Sequence, residues 1–280
     1  MGLRKVNRLF NIQRYQSSTN QIWIPICYRL QTWITIISIY FVFLNSIILI
    51  QNDTLTKAIM KQEELEAKVK TLSETIAKLE AKLTRMENIE SIKKLQRAYG
   101  YYLEHWEEDQ IVELFSHSPE VSVEINDSGL YKGYEAVKNS FNFADHYTAD
   151  SGAKKAPPYF LHILMPLSGI VDVDPGGKTA KGRWYGFGLI AQRRGGILRA
   201  IISSGIWENE YIKEDGIWKI FKLFWVNIFS SPLDEGWVRT PYLGNPPHKD
   251  APAPMRNVHF APYPSGYIFP YHYKNPVTRK

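Results

Sequence analysis

The chain has 280 residues, 44% hydrophobic, 14% aromatic and 22% charged, which excludes a disordered, collagen-like or many-span membrane protein. Its single cysteine, Cys27, excludes an intramolecular disulfide framework and a cysteine-built zinc site. The net charge of +6 sits almost wholly in a leader where Arg4, Lys5, Arg8, Arg14 and Arg29 precede the first acid, Asp53; the near-neutral remainder argues against nucleic acid as a partner.

Residues 1–31 are this basic leader, and Thr32–Ile50 (TWITIISIYFVFLNSIILI) follows without a charge. At about 1.5 Å rise per residue such a helix nearly crosses a hydrocarbon core of about 30 Å, so 32–50 reads as a retained membrane span. A cleaved signal sequence fits less well, because no small-x-small site follows Ile50. Orientation follows the flanking Lys and Arg: the N-terminus stays cytoplasmic, and the rest lies on the extracytoplasmic, periplasmic or lumenal side. The acid-free leader, with Ser17 and Ser18, also fits mitochondrial import. Cys27 is a candidate for palmitoylation, and Asn52-Asp53-Thr54 and Asn126-Asp127-Ser128 are glycosylation sequons only in an endoplasmic lumen.

Residues 54–88 change character. Leu55, Gln62, Val69, Ile76 and Leu83 fall at heptad position a, and Ala58, Leu65, Leu72, Leu79 and Met86 at d. Branched Val69 and Ile76 at a, with leucine at d, favour a parallel two-stranded coil, so the chain is expected to be a homodimer or higher homo-oligomer. A single helix folded back on the globular part is the alternative. The seam fails at Glu90 and Lys93, which puts the start of a new unit near Asn88.

From Asn88 to Trp106 one helical face carries Ile92, Leu95, Tyr99, Tyr102 and Trp106, and a short helix, Asp109–Ser116, follows. Val121–Ile125 alternates as a strand, Asn126–Gly129 turns, and Glu135–Phe143 is a short amphipathic helix. Tyr159–Val173, Thr179–Arg193, Leu198–Lys213 and Ile217–Phe229 read as long strands punctuated by Pro175-Gly176-Gly177, Gly195-Gly196 and Glu214-Asp215-Gly216. Helices first and a curved antiparallel meander afterwards make an α+β domain. Residues 230–280 shift to proline and aromatics, which suits an extended segment draped over the domain or over a neighbouring subunit.

The runs IKKLQRAYGYYLE, VELFSHSPEVSVEI, GLYKGYEAVKNSF and GIWENEYIKEDGIWKIFKLFW, in that order over residues 89–229, resemble the SnoaL-like branch of the nuclear transport factor 2-like superfamily. The resemblance implies a cone, with the sheet wrapped on the first helix and a pocket at its open end. It implies dehydratase, isomerase, cyclase or plain binding roles, and fold alone does not choose among them. His162, in PPYFLHILMP, matches by position a histidine that scytalone dehydratase-like members use as acid and base. Tails ending in an NPVT-like stretch, as here, also occur in some relatives.

His162 shares a strand face with Phe160 and Leu164, and an imidazole titrates near neutrality, which suits proton transfer. A core histidine satisfied by its neighbours is the bland alternative. Tyr99 and Tyr102 lie on the apolar helix face, where a phenol could polarise a substrate oxygen or simply pack. Glu104 falls where relatives carry an acid near the pocket mouth, yet it faces the pocket with Tyr102 only if the helix ends there. His105 lies within reach of the same rim. Arg183, Trp184 and Tyr185 occupy the next strand, where the dehydratases place a second histidine further along, so a two-histidine dehydration is not indicated. Arg183 would meet a carboxylate or phenolate, and Trp184, Trp207 and Trp225, on three strands, would wall an aromatic substrate or fill the core. His146–Pro158 is a candidate lid. No phosphate loop, HExxH, GxSxG or close histidine spacing occurs, so the expected chemistry uses no cofactor and no metal. The leading expectation is a membrane-anchored, cofactor-free acid/base lyase or dehydratase acting on a hydrophobic aromatic or polyketide-like small molecule. A non-catalytic binding or scaffold module on a coiled-coil stalk is the rival.

Overall fold

The computed structural model describes residues 23–125, 129–143, 155–194, 196–243 and 261–280. The chain divides into two units, Met1–Ala77 and Lys78–Lys280. In the first unit the described residues are entirely helical, the beginning of α1 (Trp23–His105). Within it lies a window of mean hydropathy 2.3, none of it buried, so by length and composition this helix could cross a membrane. Leu55, Leu65, Val69, Leu72, Ile76, Leu79, Leu83 and Met86 are all exposed.

The second unit contains the end of α1, then α2 (Glu108–Glu113), β1 (Ser122–Ile125), β2 (Gly129–Lys132), α3 (Tyr134–Ser140), β3 (Leu161–Val173), β4 (Thr179–Arg194), β5 (Ile197–Glu214), β6 (Ile217–Pro232) and α4 (Gly236–Arg239). The sheet order is β2-β1-β6-β5-β4-β3. The α+β assignment holds, but the sheet is mixed rather than wholly antiparallel, because β1 runs parallel to β6 with Val123 opposite Leu223. The helical connections between β1 and the meander permit this, since a parallel neighbour needs a crossover and not a hairpin. Helix α1 passes Asn88 without a break. Asn88 serves as a tie: its carbonyl oxygen accepts hydrogen bonds from Lys213 Nζ (2.9 Å) and Trp218 Nε1 (3.0 Å).

Turn chemistry explains the meander. Asp215 and Gly216 both have positive φ (48° and 83°), the two-residue turn whose twist matches a hairpin. At the β3–β4 turn the Asp174 carboxylate accepts the main-chain N–H groups of Gly176, Lys178 and Thr179, and the Thr179 bond foremost holds its pKa below the usual carboxylate range. Pro166 is tolerated in β3 because that strand is the sheet edge.

The buried face of α1 is Asn88, Ile92, Gln96, Tyr99 and Leu103, continued past its end by Trp106 and rotated from the expected stripe so that Leu95 and Tyr102 are only partly buried. It packs on the inner sheet face, where Trp184, Trp207 and Trp225 stand directly opposite one another across β4, β5 and β6. Gly100 lets the helix approach β3 closely: a Cβ there would lie 3.1 Å from the Leu164 carbonyl oxygen.

Of the tail, Pro241–Leu243 bonds to Ser230 on β6, and Tyr263 N–H donates to the Ile228 carbonyl (2.9 Å). Phe269 is buried against Phe224 (ring centroids 5.4 Å apart). The described parts of the tail thus lie along their own sheet, as an extended segment draped over the domain would. The leader up to Ile22, the Asn126 sequon and the His146–Lys154 part of the expected lid lie outside the described residues.

Candidate active site

Helix α1 ends one residue beyond Glu104. Glu107 N–H reaches back to the Tyr102 carbonyl (3.0 Å) and Trp106 N–H to that of Leu103 (3.5 Å), a helix stop that normally uses glycine at the left-handed position. Here Trp106 takes that position, at φ 56°. A bulky residue held there costs about 1–3 kcal/mol and persists only where packing over-determines it. The packing is aromatic: the Trp106 ring lies 4.9 Å from Phe160, nearly edge-on, and 5.9 Å from Phe143. Phe160 in turn meets His162 edge-to-face at 6.0 Å. The helix end therefore delivers an aromatic chain to the histidine.

His162 stands opposite Ile190 on β4, in the register that puts it on the inner face with Leu164. Burial pulls its pKa down from 6.5 to about 4, so the imidazole is neutral at physiological pH. Tyr102 and Glu104 are half-buried on the last turn of α1, while His105 is exposed. Tyr99 lies elsewhere, buried in the core, with its ring edge-on to Phe141 (6.2 Å) and Trp207 (6.3 Å).

The three tryptophans are buried, and they pack on glycines. Trp225 fills the space a Cβ would need at Gly186 (2.4 Å) and at Gly205 (2.5 Å), and Trp184 does so at Gly169 (2.0 Å). Trp207 and Trp225 are 4.6 Å apart. Below them lies a buried polar relay that the sequence did not announce. Phe224 N–H donates to Asn209 Oδ1 (3.1 Å), which commits Asn209 Nδ2 as a donor to Gln96 Oε1 (2.9 Å). Tyr211 accepts from Trp184 Nε1 (3.0 Å) and donates to the same Gln96 oxygen (2.9 Å). Burial foremost pushes the Tyr211 phenol up, so it stays protonated. The one available signal was Gln96 itself, a polar residue between Ile92 and Tyr99 at helical spacing.

Arg183 stands on the opposite sheet face from Trp184. Its guanidinium pairs with Glu208 (3.4 Å), donates to the Phe269 (2.8 Å) and Pro270 (3.1 Å) carbonyls, and lies 4.4 Å from the Tyr271 ring centroid. His272 Nδ1 bonds Glu208, and its Nε2 lies 3.6 Å from Asp172. The anion partner of Arg183 is thus supplied within the chain. The structure brings together His162, Phe160 and Trp106 beside the helix end that carries Tyr102 and Glu104; it sets Tyr99 and the tryptophans in the core and Arg183 behind the sheet.

Among solved structures the chain is similar to LinA (TM-score 0.44, 18% identity, covering 59% of this chain and 99% of that one). It is similar to hexachlorocyclohexane dehydrochlorinase LinA-type3 from Novosphingobium barchaimii (TM-score 0.42, 18% identity, 59% and 99%). A nuclear transport factor 2-like protein with a cystatin-like fold from Novosphingobium aromaticivorans also matches (TM-score 0.36, 19% identity, 57% and 92%). No curated protein matches the sequence. The family model described as a SnoaL-like domain matches residues 84–223, half of the sequence, and the chain belongs to that family.

Proposed function

We propose that this SnoaL-like domain is a membrane-anchored lyase that eliminates a group from a hydrophobic, aromatic or polyketide-like small molecule by acid/base chemistry without a cofactor. The observation that carries the reading is His162, a desolvated and neutral imidazole on the inner face beside Phe160 and Trp106. An unprotonated imidazole has a lone pair ready to take a proton from carbon, and the aromatic surroundings suit an apolar ring. The electron pair left on carbon forms the double bond as the leaving group departs from the neighbouring carbon. Tyr102 and Glu104, on the last turn of α1, are the groups assigned to assist the departure. In this reading residues 32–50 anchor the chain, the N-terminus is cytoplasmic, the domain is periplasmic or lumenal, and the 54–88 seam pairs two copies.

The test has two stages. A thermal-shift screen of aromatic and polyketide-like compounds finds a ligand, since specific binding raises apparent stability. Turnover of that compound by His162→Ala should then fall at least about a hundredfold, the contribution of a positioned acid/base group. Unchanged turnover removes His162 from the reaction.

A second reading, a non-catalytic binding module, is favoured by the packing of Trp184 and Trp225 onto glycines and by the closed Gln96–Asn209–Tyr211 relay. Binding with no turnover, undiminished in His162→Ala, would establish that reading.

A further inference from the structure

No glycine or proline interrupts α1 between Thr32 and Met86, so the heptad frame of 54–88 extends unbroken into the apolar run. There Ile34, Phe41 and Ile48 take position a, and Ile37, Leu44 and Gln51 position d. The flanks of that seam are sorted by charge. Position g carries Lys61, Lys68 and Lys82 and no acid; position e carries Glu66, Glu80 and Glu87 and no base. Continued toward the N-terminus, the same two lines reach Tyr40 at g and Asn45 at e, both exposed, Tyr40 at 73%. We propose that Tyr40 and Asn45 hydrogen-bond across a pair of membrane spans, joining two parallel copies of this chain inside the lipid. The inference rests on the proposed anchor and stalk.

Charge, orientation and unmet hydrogen bonds select that occupant. In a parallel coil, position g meets position e of the following heptad on the partner helix. That relation sets Lys61 against Glu66, and Lys82 against Glu87, of a second copy. An antiparallel pair would bring g to g and e to e, turning both into like-charge contacts. Copies inserted by one orientation rule are parallel in any case. The same five-residue offset sets Tyr40 against Asn45 of the second copy. The middle of the 32–50 run is Phe41, so at about 1.5 Å rise per residue both side chains lie within about 6 Å of the bilayer centre, where no water satisfies them. The hydroxyls of Thr35, Ser38 and Ser46 donate to carbonyls of their own helix, four residues back. No such partner meets Tyr40 or Asn45 among the described residues. A phenol O–H donates where a carboxamide oxygen accepts, and two-fold symmetry makes the contact twice.

The experiment uses the full chain with Cys27→Ser in lipid vesicles, carrying Leu44→Cys on the seam or, as a control, Phe43→Cys on the opposite helix face, both exposed in the single chain. Oxidation should yield covalent dimer at least about tenfold faster at Leu44→Cys, because only a held seam keeps two thiols together. Energy transfer between copies labelled at the N-terminus, followed on dilution with lipid, gives the dissociation constant. Tyr40→Phe and Asn45→Leu should each weaken pairing about tenfold, the worth of two interhelical hydrogen bonds in a membrane. The double change should cost no more than the larger single one. Equal cross-linking at the two cysteines, a dissociation constant that either substitution leaves unmoved, or fully additive losses overturns the inference. So does a Leu44→Cys cross-link that, in cell membranes, joins the chain only to a different protein. Leu65→Cys against Ala67→Cys reads the stalk separately. Selective cross-linking there and none at Leu44→Cys leaves the stalk and sinks the span contact; the reverse leaves the span contact and sinks the stalk. A chain soluble without detergent sinks the anchor and this inference with it.

Discussion

Trp184 occupies the space above Gly169 so completely that a Cβ on the glycine would stand 2.0 Å from the indole Cζ3. Gly169 lies where the β3–β4 register shifts, between Leu167 and Ile170, so the irregular strand and the buried indole form one fitted pair. Gly169→Ala should destabilise the domain by about 1–3 kcal/mol, the cost of overpacking a filled core. Thermal unfolding followed by tryptophan fluorescence reads this. Trp184→Leu in the same chain should recover much of the loss, whereas additive losses would mean the two do not interact.

The polar relay makes a graded prediction. Tyr211→Phe strands Trp184 Nε1 and removes one donor to Gln96. Asn209→Ala strands the Phe224 N–H and removes the other donor. Each should cost about 1–3 kcal/mol, the penalty for an unpaired buried group. Asn209→Ala should cost more, because it orphans main chain in the middle of the sheet. A Tyr211→Phe variant as stable as the parent would show that the relay contributes nothing.

His162 sets a pH window. Its folded pKa of about 4 lies below the 6.5 of an open histidine, so the unfolded chain binds this proton more readily. Stability therefore rises with pH from about 4 to 6.5 and is flat above that. At about 1.36 kcal/mol per unit the full loss below pH 4 approaches about 3 kcal/mol. His162→Phe should flatten this part of the stability profile. In the proposed reaction the acid limb of kcat/KM should fall near pH 4; a limb near 6.5 would mean that another group, or a differently solvated His162, takes the proton.

Arg183 and the tail should behave as a unit. Arg183→Met loses two carbonyl acceptors and the Tyr271 ring, and a chain ending at Ser265 loses the same contacts from the other side. Each change should lower stability by about 1–3 kcal/mol. The combination should cost little more than the larger single change, because both remove one set of contacts. Full additivity, measured by thermal midpoints, would show that the tail is held elsewhere.

Much of this architecture is legible without coordinates. The four long strands follow from periodicity, because burying one face imposes a spacing on the side chains that reach it. The β5–β6 turn is legible at Asp215-Gly216 for an equally local reason, the positive φ that this pair adopts. The parallel β1–β6 pairing is not legible, since Val121–Ile125 reads as a strand whichever neighbour it takes.

The site divides along the same line. That His162 shares an inner face with Phe160 and Leu164 follows from the two-residue period of a strand. That Arg183 is spent on Glu208 and the tail carbonyls does not, because its partners lie 25 or more positions away in sequence and meet it only through register and the return of the chain. Trp106 at the helix stop, the tryptophans seated on glycines, and Gln96 between Asn209 and Tyr211 are likewise decided by tertiary packing. Local sequence determines which faces are apolar and where the chain turns. Which atoms come within hydrogen-bonding or van der Waals distance is decided only when those faces close on one another.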